Sequence, residues 1–308
     1  MEVRKANLFF LWIIILLIFA QFFLGIGLEH LGIPENYWGL FLEFGVLFIP
    51  AIIYLVVTKK PIKETLRLNP INMKSIAIII IIAIIAQPLM MFLSVFSQLL
   101  FHNYVADAVK EMSSLPYVVL MGMMALSPAI CEETVMRGVI LSGYRKVDIR
   151  KAALMNGFLF GIFHLGPQQF LYAFALGAVF VYLVEATNSI FASMLCHFLI
   201  NGFSTTLAWI VGKFSDNKTE KTTEFSSLDP SVIIGTLVFL FILALIFTSL
   251  LVLVIRELDK TNNGRLSDRK LEATSFKENS KITKLMNWPV YVAITIYLIF
   301  TTLVLLLQ

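Results

Sequence analysis

Apolar segments long enough to cross a membrane dominate this chain. A helix needs about 20 mostly apolar residues to cross a hydrocarbon core of about 30 Å. Only 14% of the 308 residues are charged, whereas about 25% is usual for a soluble domain. The sequence therefore predicts an all-α, polytopic membrane protein. The clearest predicted spans are 8–28, 38–57, 75–101, 231–255 and 288–307.

The middle of the chain predicts four more helices, with polar residues inside them. They are 115–144, 152–166, 168–186 and 189–212. The second is 15 residues long, so it enters the membrane either partly or completely. The chain is therefore expected to have about eight to nine transmembrane helices.

The distribution of basic residues predicts an orientation. With the N-terminus in the cytoplasm, 19 Lys and Arg residues lie in cytoplasmic segments and 4 in outer loops. This bias follows the positive-inside rule. It also accounts for the pI near 9.0 without a nucleic-acid partner, so the lipid bilayer is the expected partner. The composition, rich in Ile, Phe and Lys, favours the plasma membrane of a bacterium, and the sequence carries no signal for an oligomeric state.

Three clusters of ionisable or strongly polar residues lie inside the central helices. They occupy 131–137, 160–164 and 197–201. A charged side chain at the centre of a bilayer costs about 3 kcal/mol on insertion scales, so such residues are functional candidates. From the rise of a helix, Glu132, His164 and Asn201 each lie about 18 Å from the cytoplasmic ends of their helices, and His197 lies about 12 Å in. The clusters are therefore expected to form one buried site.

Helical spacing assigns directions to these side chains. Glu133 and Arg137 are i,i+4 neighbours and are expected to pair, which leaves Glu132 about 100° away and free to face a cavity. His197 and Asn201 share one face of their helix. Pro128 removes a backbone hydrogen bond and is expected to kink or widen the helix before Glu132.

A carboxylate and an imidazole around one water form a general-base pair. A desolvated Glu132 can take a proton from water, and a second His with an Asn can stabilise a developing oxyanion. These groups suit hydrolysis of a peptide bond without a cofactor. Zinc held by two His and one Glu is the alternative, although the H-E-x-x-H signature is absent.

The motifs Glu132-Glu133-x-x-x-Arg137, Phe160-x-x-x-His164 and His197-x-x-x-Asn201, in this order, resemble those of the CPBP family. That family comprises CAAX prenyl endopeptidases and bacterial bacteriocin-processing and immunity (Abi) proteins. The resemblance covers about residues 115–205, a four-helix core. It implies that Glu132 and His164 activate the water, His197 and Asn201 stabilise the oxyanion, and Glu133 and Arg137 support them. It also implies a glutamate-dependent protease rather than a zinc enzyme.

The predicted organisation is N-terminal transmembrane helices at 1–114, a catalytic core at 115–212, and C-terminal helices at 213–308 with a polar cytoplasmic loop at 257–287. The leading hypothesis is an intramembrane endopeptidase whose partner is a peptide or membrane-protein substrate, in peptide maturation or bacteriocin self-immunity. A non-catalytic scaffold or regulator of the same fold is the alternative. A proton-coupled transporter is less favoured, because no inverted repeat is visible.

Some residues outside the motifs leave alternatives open. Glu43 is either a structural hydrogen-bond partner or part of a proton path, with the structural role preferred. Glu185, at a predicted span end, is expected to be interfacial. Asn156 either lines the cavity or bonds a neighbouring helix. Gly157, Gly161 and Gly177 are expected to mark close helix packing.

Overall fold

The computed structural model describes residues 2–104, 107, 112, 115–214, 225–267, 269 and 284–306, and these form helices without any strand. Residues 268 and 270–283 of the predicted polar loop lie outside the described residues, as do Lys110, Lys218 and Lys221. Within the described part of the chain, the longer helical stretches are α1 Val3–His30, α2 Glu35–Val57, α3 Ile62–Leu66, α4 Met73–Ser97, α5 Tyr117–Ile140, α6 Ile149–Phe163, α7 Pro167–Thr187, α8 Ile190–Phe214, α9 Pro230–Thr261 and α10 Trp288–Leu306.

Eight of the described helices are long and apolar enough to cross a membrane, all except α3 and α6. Many of their large apolar side chains are exposed, as lipid-facing surfaces require. The predicted all-α, polytopic architecture is confirmed. The count of eight falls within the predicted range of eight to nine. The predicted helix at 152–166, which corresponds to α6, is not among the eight.

Helix α6 is too short to cross on its own and forms an antiparallel hairpin with α7. Its 15 residues extend about 22 Å, less than the core of a bilayer. A Cβ added to Gly177 would lie 2.6 Å from the Cα of Gly157, so the two backbones touch. A Cβ added to Gly161 would lie 2.8 Å from Cδ2 of Phe170. The predicted close packing at these glycines is confirmed, and it brings the turn after α6 to a position inside the bundle.

Helix α7 lies at the centre of the bundle. Ala173, Val181 and Val184 belong to a core cluster shared with α1, α2, α5 and α6. On its other face, Leu176 and Phe180 belong to a second cluster shared with α4, α8 and α9. Because α7 packs on both sides, the residues around it are shielded from lipid.

Wide π turns interrupt two of the spans. They are Leu42–Phe48 in α2, and Gly122–Leu126 and Thr134–Ile140 in α5. Pro128 lies in the first turn of the α-helical segment Ser127–Glu133 between the two π turns of α5. A proline has no N–H to donate, so it fits a point where the hydrogen-bond register changes. The expected widening therefore occurs just before Glu132.

A buried arginine cluster, Arg67, Arg145, Arg269 and Glu185, ties the loops to one end of α7. Glu185 pairs with Arg67 at 2.9 Å and also with Arg269. Arg145 donates to the carbonyl oxygens of Glu64 and Thr65 at 2.6 and 2.9 Å, and burial lowers the pKa of Arg145 to about 10. Glu185 lies two residues before the end of α7, and two arginines balance its charge and allow it to be buried, with 7% exposed. Its interfacial depth stays a prediction.

The start of the predicted polar loop is also ordered. Helix α9 continues to Thr261, and Arg269 is buried against the carbonyl oxygen of Tyr144 at 2.9 Å. Helix α9 therefore extends five residues into the segment 257–287 that the sequence predicted as a polar loop.

Candidate active site

Glu133 is the centre of the polar site. Its Oε1 accepts a hydrogen bond from Nη1 of Arg137 at 2.8 Å and lies 3.0 Å from Nδ1 of His197. All three side chains are buried. The predicted pairing of Glu133 with Arg137 is confirmed, and the same carboxylate also fixes the imidazole of His197, which the spacing alone did not predict.

Two aromatic rings enclose the guanidinium of Arg137. Its central carbon lies 4.3 Å from the centroid of Phe160 and 4.9 Å from that of Phe180. Cation–π contacts of this kind contribute about 2 kcal/mol or more when they are desolvated. They help to explain how Arg137 is tolerated with 1% of its surface exposed.

His197 lies between the two adjacent glutamates of α5. While its Nδ1 faces Glu133, its Nε2 lies 3.9 Å from Oε2 of Glu132. Because a carboxylate only accepts hydrogen bonds, Nδ1 carries a hydrogen. Nε2 is then an acceptor in the neutral ring and a donor in the protonated ring, and in both states it faces Glu132.

His164 caps the C-terminus of α6 at the hairpin turn. Its Nδ1 lies 2.8 Å from the carbonyl oxygen of Phe160, which can only accept, so Nδ1 carries the hydrogen and Nε2 holds a lone pair in the neutral ring. Leu165 follows with a φ of 54°, a left-handed conformation that turns the chain sharply into α7. The ring of Phe160 contacts both imidazoles, at 4.7 Å from His164 and 6.1 Å from His197.

Asn201 lies one turn beyond His197 on α8. Its Nδ2 donates to the carbonyl oxygen of Met124 at 3.3 Å, in the first π turn of α5. An amide nitrogen carries two hydrogens, so the second remains available to a ligand. The structure thus joins Glu133, Arg137 and His197 by short contacts and places Glu132 3.9 Å from His197. His164 is linked to them through Phe160, and Asn201 through α5.

Asn156, Phe180 and Tyr172 complete the surroundings of the site. Asn156 donates to the carbonyl oxygen of Met136 at 3.0 Å, so it bonds a neighbouring helix. The ring of Phe180 lies against both Arg137 and His197. The ring centroids of Tyr172 and His164 are 6.4 Å apart. Phe180 and Tyr172 were not predicted as site residues, because one aromatic residue among many in the spans is not distinctive.

Among the described residues, no group of three His, Cys, Asp or Glu side chains is arranged to hold a metal ion. Glu132 and His197 are near neighbours, but Nδ1 of His164 is taken by a backbone carbonyl, so this residue could offer only Nε2. Cys131 and Cys196 are free, buried thiols.

Comparison with known families matches the central helices to one model. Residues 113–203 match the family model described as type II CAAX prenyl endopeptidase Rce1-like. This segment is Rce1-like. The resemblance drawn from the three motifs is therefore confirmed for a region that contains all of them. No curated protein and no solved structure gave a significant match.

The Rce1-like segment comprises α5, α6, α7 and the first half of α8. It therefore contains Glu132, His164, His197 and Asn201, and it supports a CAAX-type endopeptidase in a membrane. Helices α1, α2 and α4 precede the segment, and α9 and α10 follow it. They pack around it and provide much of the lipid-facing surface.

Proposed function

We propose that the chain is an intramembrane endopeptidase that cleaves a membrane-associated peptide or protein with a water activated by Glu132 and His164. The single observation that carries the proposal is that Glu132 and Glu133 are held differently. Oε1 of Glu133 is paired with Arg137 at 2.8 Å and with His197 at 3.0 Å, whereas Glu132 reaches only Nε2 of His197, at 3.9 Å, which is too long for a hydrogen bond. Glu132 is thus the carboxylate left free for chemistry.

In the proposed reaction, His164 accepts a hydrogen bond from the water through Nε2, and Glu132 takes a proton from the same water. The resulting hydroxide forms a bond to the carbonyl carbon of the substrate. His197 Nε2, in its protonated form, and Asn201 Nδ2 donate to the oxyanion that develops. The C–N bond then breaks, and Glu132 delivers its proton to the leaving amine.

The proposed setting is the plasma membrane of a bacterium, with the N-terminus in the cytoplasm. A role in maturation of a peptide, or in self-immunity to a bacteriocin, fits an endopeptidase whose site lies among membrane helices. The proposed chemistry requires no cofactor. Zinc held by Glu132, His164 and His197 is the competing mechanism, and a chelator distinguishes the two.

The test is cleavage of a peptide library by the purified protein in nanodiscs. Wild type is compared with Glu132→Ala, His164→Ala and the matched control Glu35→Ala, whose side chain is exposed at the start of α2. Loss of general-base catalysis lowers the rate by about a hundredfold or more in the first two variants, while the control cleaves normally. Cleavage by wild type is expected to survive chelation.

Other outcomes point elsewhere. Full cleavage by Glu132→Ala overturns the proposal. Loss of cleavage on chelation with recovery on added zinc assigns Glu132, His164 and His197 as ligands. If a strain lacking the protein is complemented equally well by wild type and Glu132→Ala, the scaffold role replaces the enzymatic one.

A further inference from the structure

An apolar cavity of about 280 Å³ lies at the start of α7, where that helix meets the end of α4 and the middle of α10. Ser97 and Tyr297 are buried whereas Leu100 is exposed, so the cavity has a buried floor and an open edge. An apolar cavity of about 150 Å³ is enough to hold a benzene ring. This cavity therefore has room for a large apolar side chain and the backbone that adjoins it. Its lining includes Ser97, Leu100, Phe101, Pro167, Phe170 and Tyr297.

The hydroxyl of Ser97 is a buried polar group within this apolar lining. Its Oγ has no hydrogen-bond partner among the described residues. By contrast, the hydroxyl of Ser249 in α9 donates to the carbonyl oxygen of Leu245 in the same helix at 3.0 Å. A buried hydroxyl without a partner is costly, and lipid offers it no hydrogen bond. The hydroxyl of Ser97 is therefore available to a molecule that enters the cavity.

Gln168 brings a second unpaired polar atom to the first turn of α7. It follows the lining residue Pro167 and is buried. Its Nε2 donates to Oγ of Ser94, one turn before Ser97, at 3.5 Å. Its Oε1 is buried without a hydrogen-bond partner within the described part of the chain. An amide oxygen can only accept, whereas a hydroxyl can also donate, so Gln168 and Ser97 offer an acceptor and a donor.

This combination of groups matches a peptide better than a lipid chain. The backbone of a peptide carries both N–H donors and C=O acceptors, which Oε1 of Gln168 and Oγ of Ser97 can pair. An acyl chain makes no hydrogen bond, and its ester oxygens only accept. A lipid in the cavity would therefore leave Gln168 unpaired.

The cavity adjoins the candidate active site through the α6–α7 turn. Pro167 follows His164 by three residues, at most about 10 Å of extended chain. Phe170 packs on Gly161 of α6, and the ring of Tyr172 on the next turn lies 6.4 Å from that of His164. A peptide residue held in the cavity is therefore within a few residues of a bond presented to His164.

We propose that this cavity is a specificity subsite, which binds a large apolar side chain of the substrate while Ser97 and Gln168 bind the backbone beside it. The hydroxyl of Ser97 donates to a carbonyl oxygen of the peptide, and Oε1 of Gln168 accepts from an N–H. The inference rests on the proposed function for the identity of the peptide as a substrate. Binding of a peptide can be measured without cleavage.

The test is photocrosslinking in nanodiscs with an acetylated alanine pentapeptide amide that carries photoleucine, a diazirine analogue of leucine, at its centre. The Glu132→Ala protein is used as the parent, so that the peptide stays intact. Mass spectrometry is expected to locate the crosslinks in segments 96–101 and 167–171. An analogue with an ester in place of the photoleucine N–H is expected to crosslink about tenfold less, because it loses one hydrogen bond.

Two substitutions at Ser97 separate hydrogen bonding from volume. Ser97→Ala is expected to lower the crosslinking yield about tenfold without lowering the Tm, because the hydroxyl is unpaired in the free protein. Ser97→Leu fills the cavity and is expected to abolish crosslinking there. The matched controls Ser249→Ala and Ser249→Leu, at an exposed position of α9, are expected to crosslink like the parent. If Ser97→Leu does not fold, as judged by gel filtration, Ser97→Ala decides alone.

Equal crosslinking of the amide and ester peptides, an unchanged yield in Ser97→Ala, or crosslinks only outside the two segments overturns the inference. A diazirine fatty acid that labels these segments when the peptide does not would identify lipid as the occupant and also overturn it. The expected crosslinks without cleavage of any peptide by the wild type would support the binding site and count against the proposed function. The two failures are thus distinguishable.

Discussion

At the scale of single residues, the site depends on a buried ion pair that is only balanced while both partners are present. Glu133→Gln leaves Arg137 buried beside two phenylalanines without its counter-charge. We expect a loss of about 3 to 5 kcal/mol in the free energy of unfolding. The double variant Glu133→Gln/Arg137→Met removes both charges and is expected to recover most of that stability. Denaturant unfolding of Glu133→Gln, Arg137→Met and the double variant measures the coupling, and two effects that simply add would contradict it.

Phe180 is expected to stabilise the site through its aromatic face, although the sequence did not mark it as a site residue. Phe180→Leu keeps an apolar side chain but removes the aromatic face from Arg137 and His197. We expect a loss of about 2 kcal/mol in stability together with lower cleavage. Phe174→Leu is the matched control, since this residue lies on the same helix and stacks on Phe170 away from the site. Equal losses in both variants would show that Phe180 acts through volume alone.

At the scale of helices, glycine contacts set how deeply the α6–α7 hairpin places His164. A methyl group at Gly177 would meet backbone atoms of α6, which cannot move aside as a side chain can. Gly177→Ala is therefore expected to cost about 1 to 3 kcal/mol through overpacking and to reduce cleavage by displacing the hairpin. Thermal unfolding in nanodiscs measures this. Gly235→Ala in α9, where nothing lies near the added methyl group, is expected to be neutral or slightly stabilising, and a similar loss there would contradict the argument.

Pairings within one helix could be predicted from the sequence, whereas contacts between distant segments could not. Spacing of i,i+4 was enough for Glu133 and Arg137, because both lie on one helix and the pairing is local. The hydrogen bond that His197 donates to Glu133 joins residues 64 positions apart on two different helices, so no local spacing predicts it. The burial of Glu185 was not predicted for a similar reason, since its partners Arg67 and Arg269 come from distant loops.

At the scale of the whole molecule, the site is completed by helices outside the Rce1-like segment. Hydropathy predicted the spans well because each must satisfy its own backbone in lipid. Which of them contact the site depends on tertiary packing that hydropathy does not encode. The π turn Leu42–Phe48 of α2 shows this: its span was evident, but its packing on the segment Ser127–Glu133 of α5 was not. The flanking helices therefore help to enclose the site as well as providing lipid-facing surface.

The predicted orientation of the molecule in the membrane can be tested by labelling of introduced cysteines, without a reporter domain. Cys131 and Cys196 are both fully buried, so a membrane-impermeant maleimide should not label the wild type. Leu31 and Lys59 lie exposed beyond opposite ends of α2. With the N-terminus in the cytoplasm, Leu31→Cys is labelled on intact cells, whereas Lys59→Cys is labelled only after permeabilisation. The reverse pattern would invert the topology and move the arginine cluster to the outer face, where the positive-inside rule does not place it.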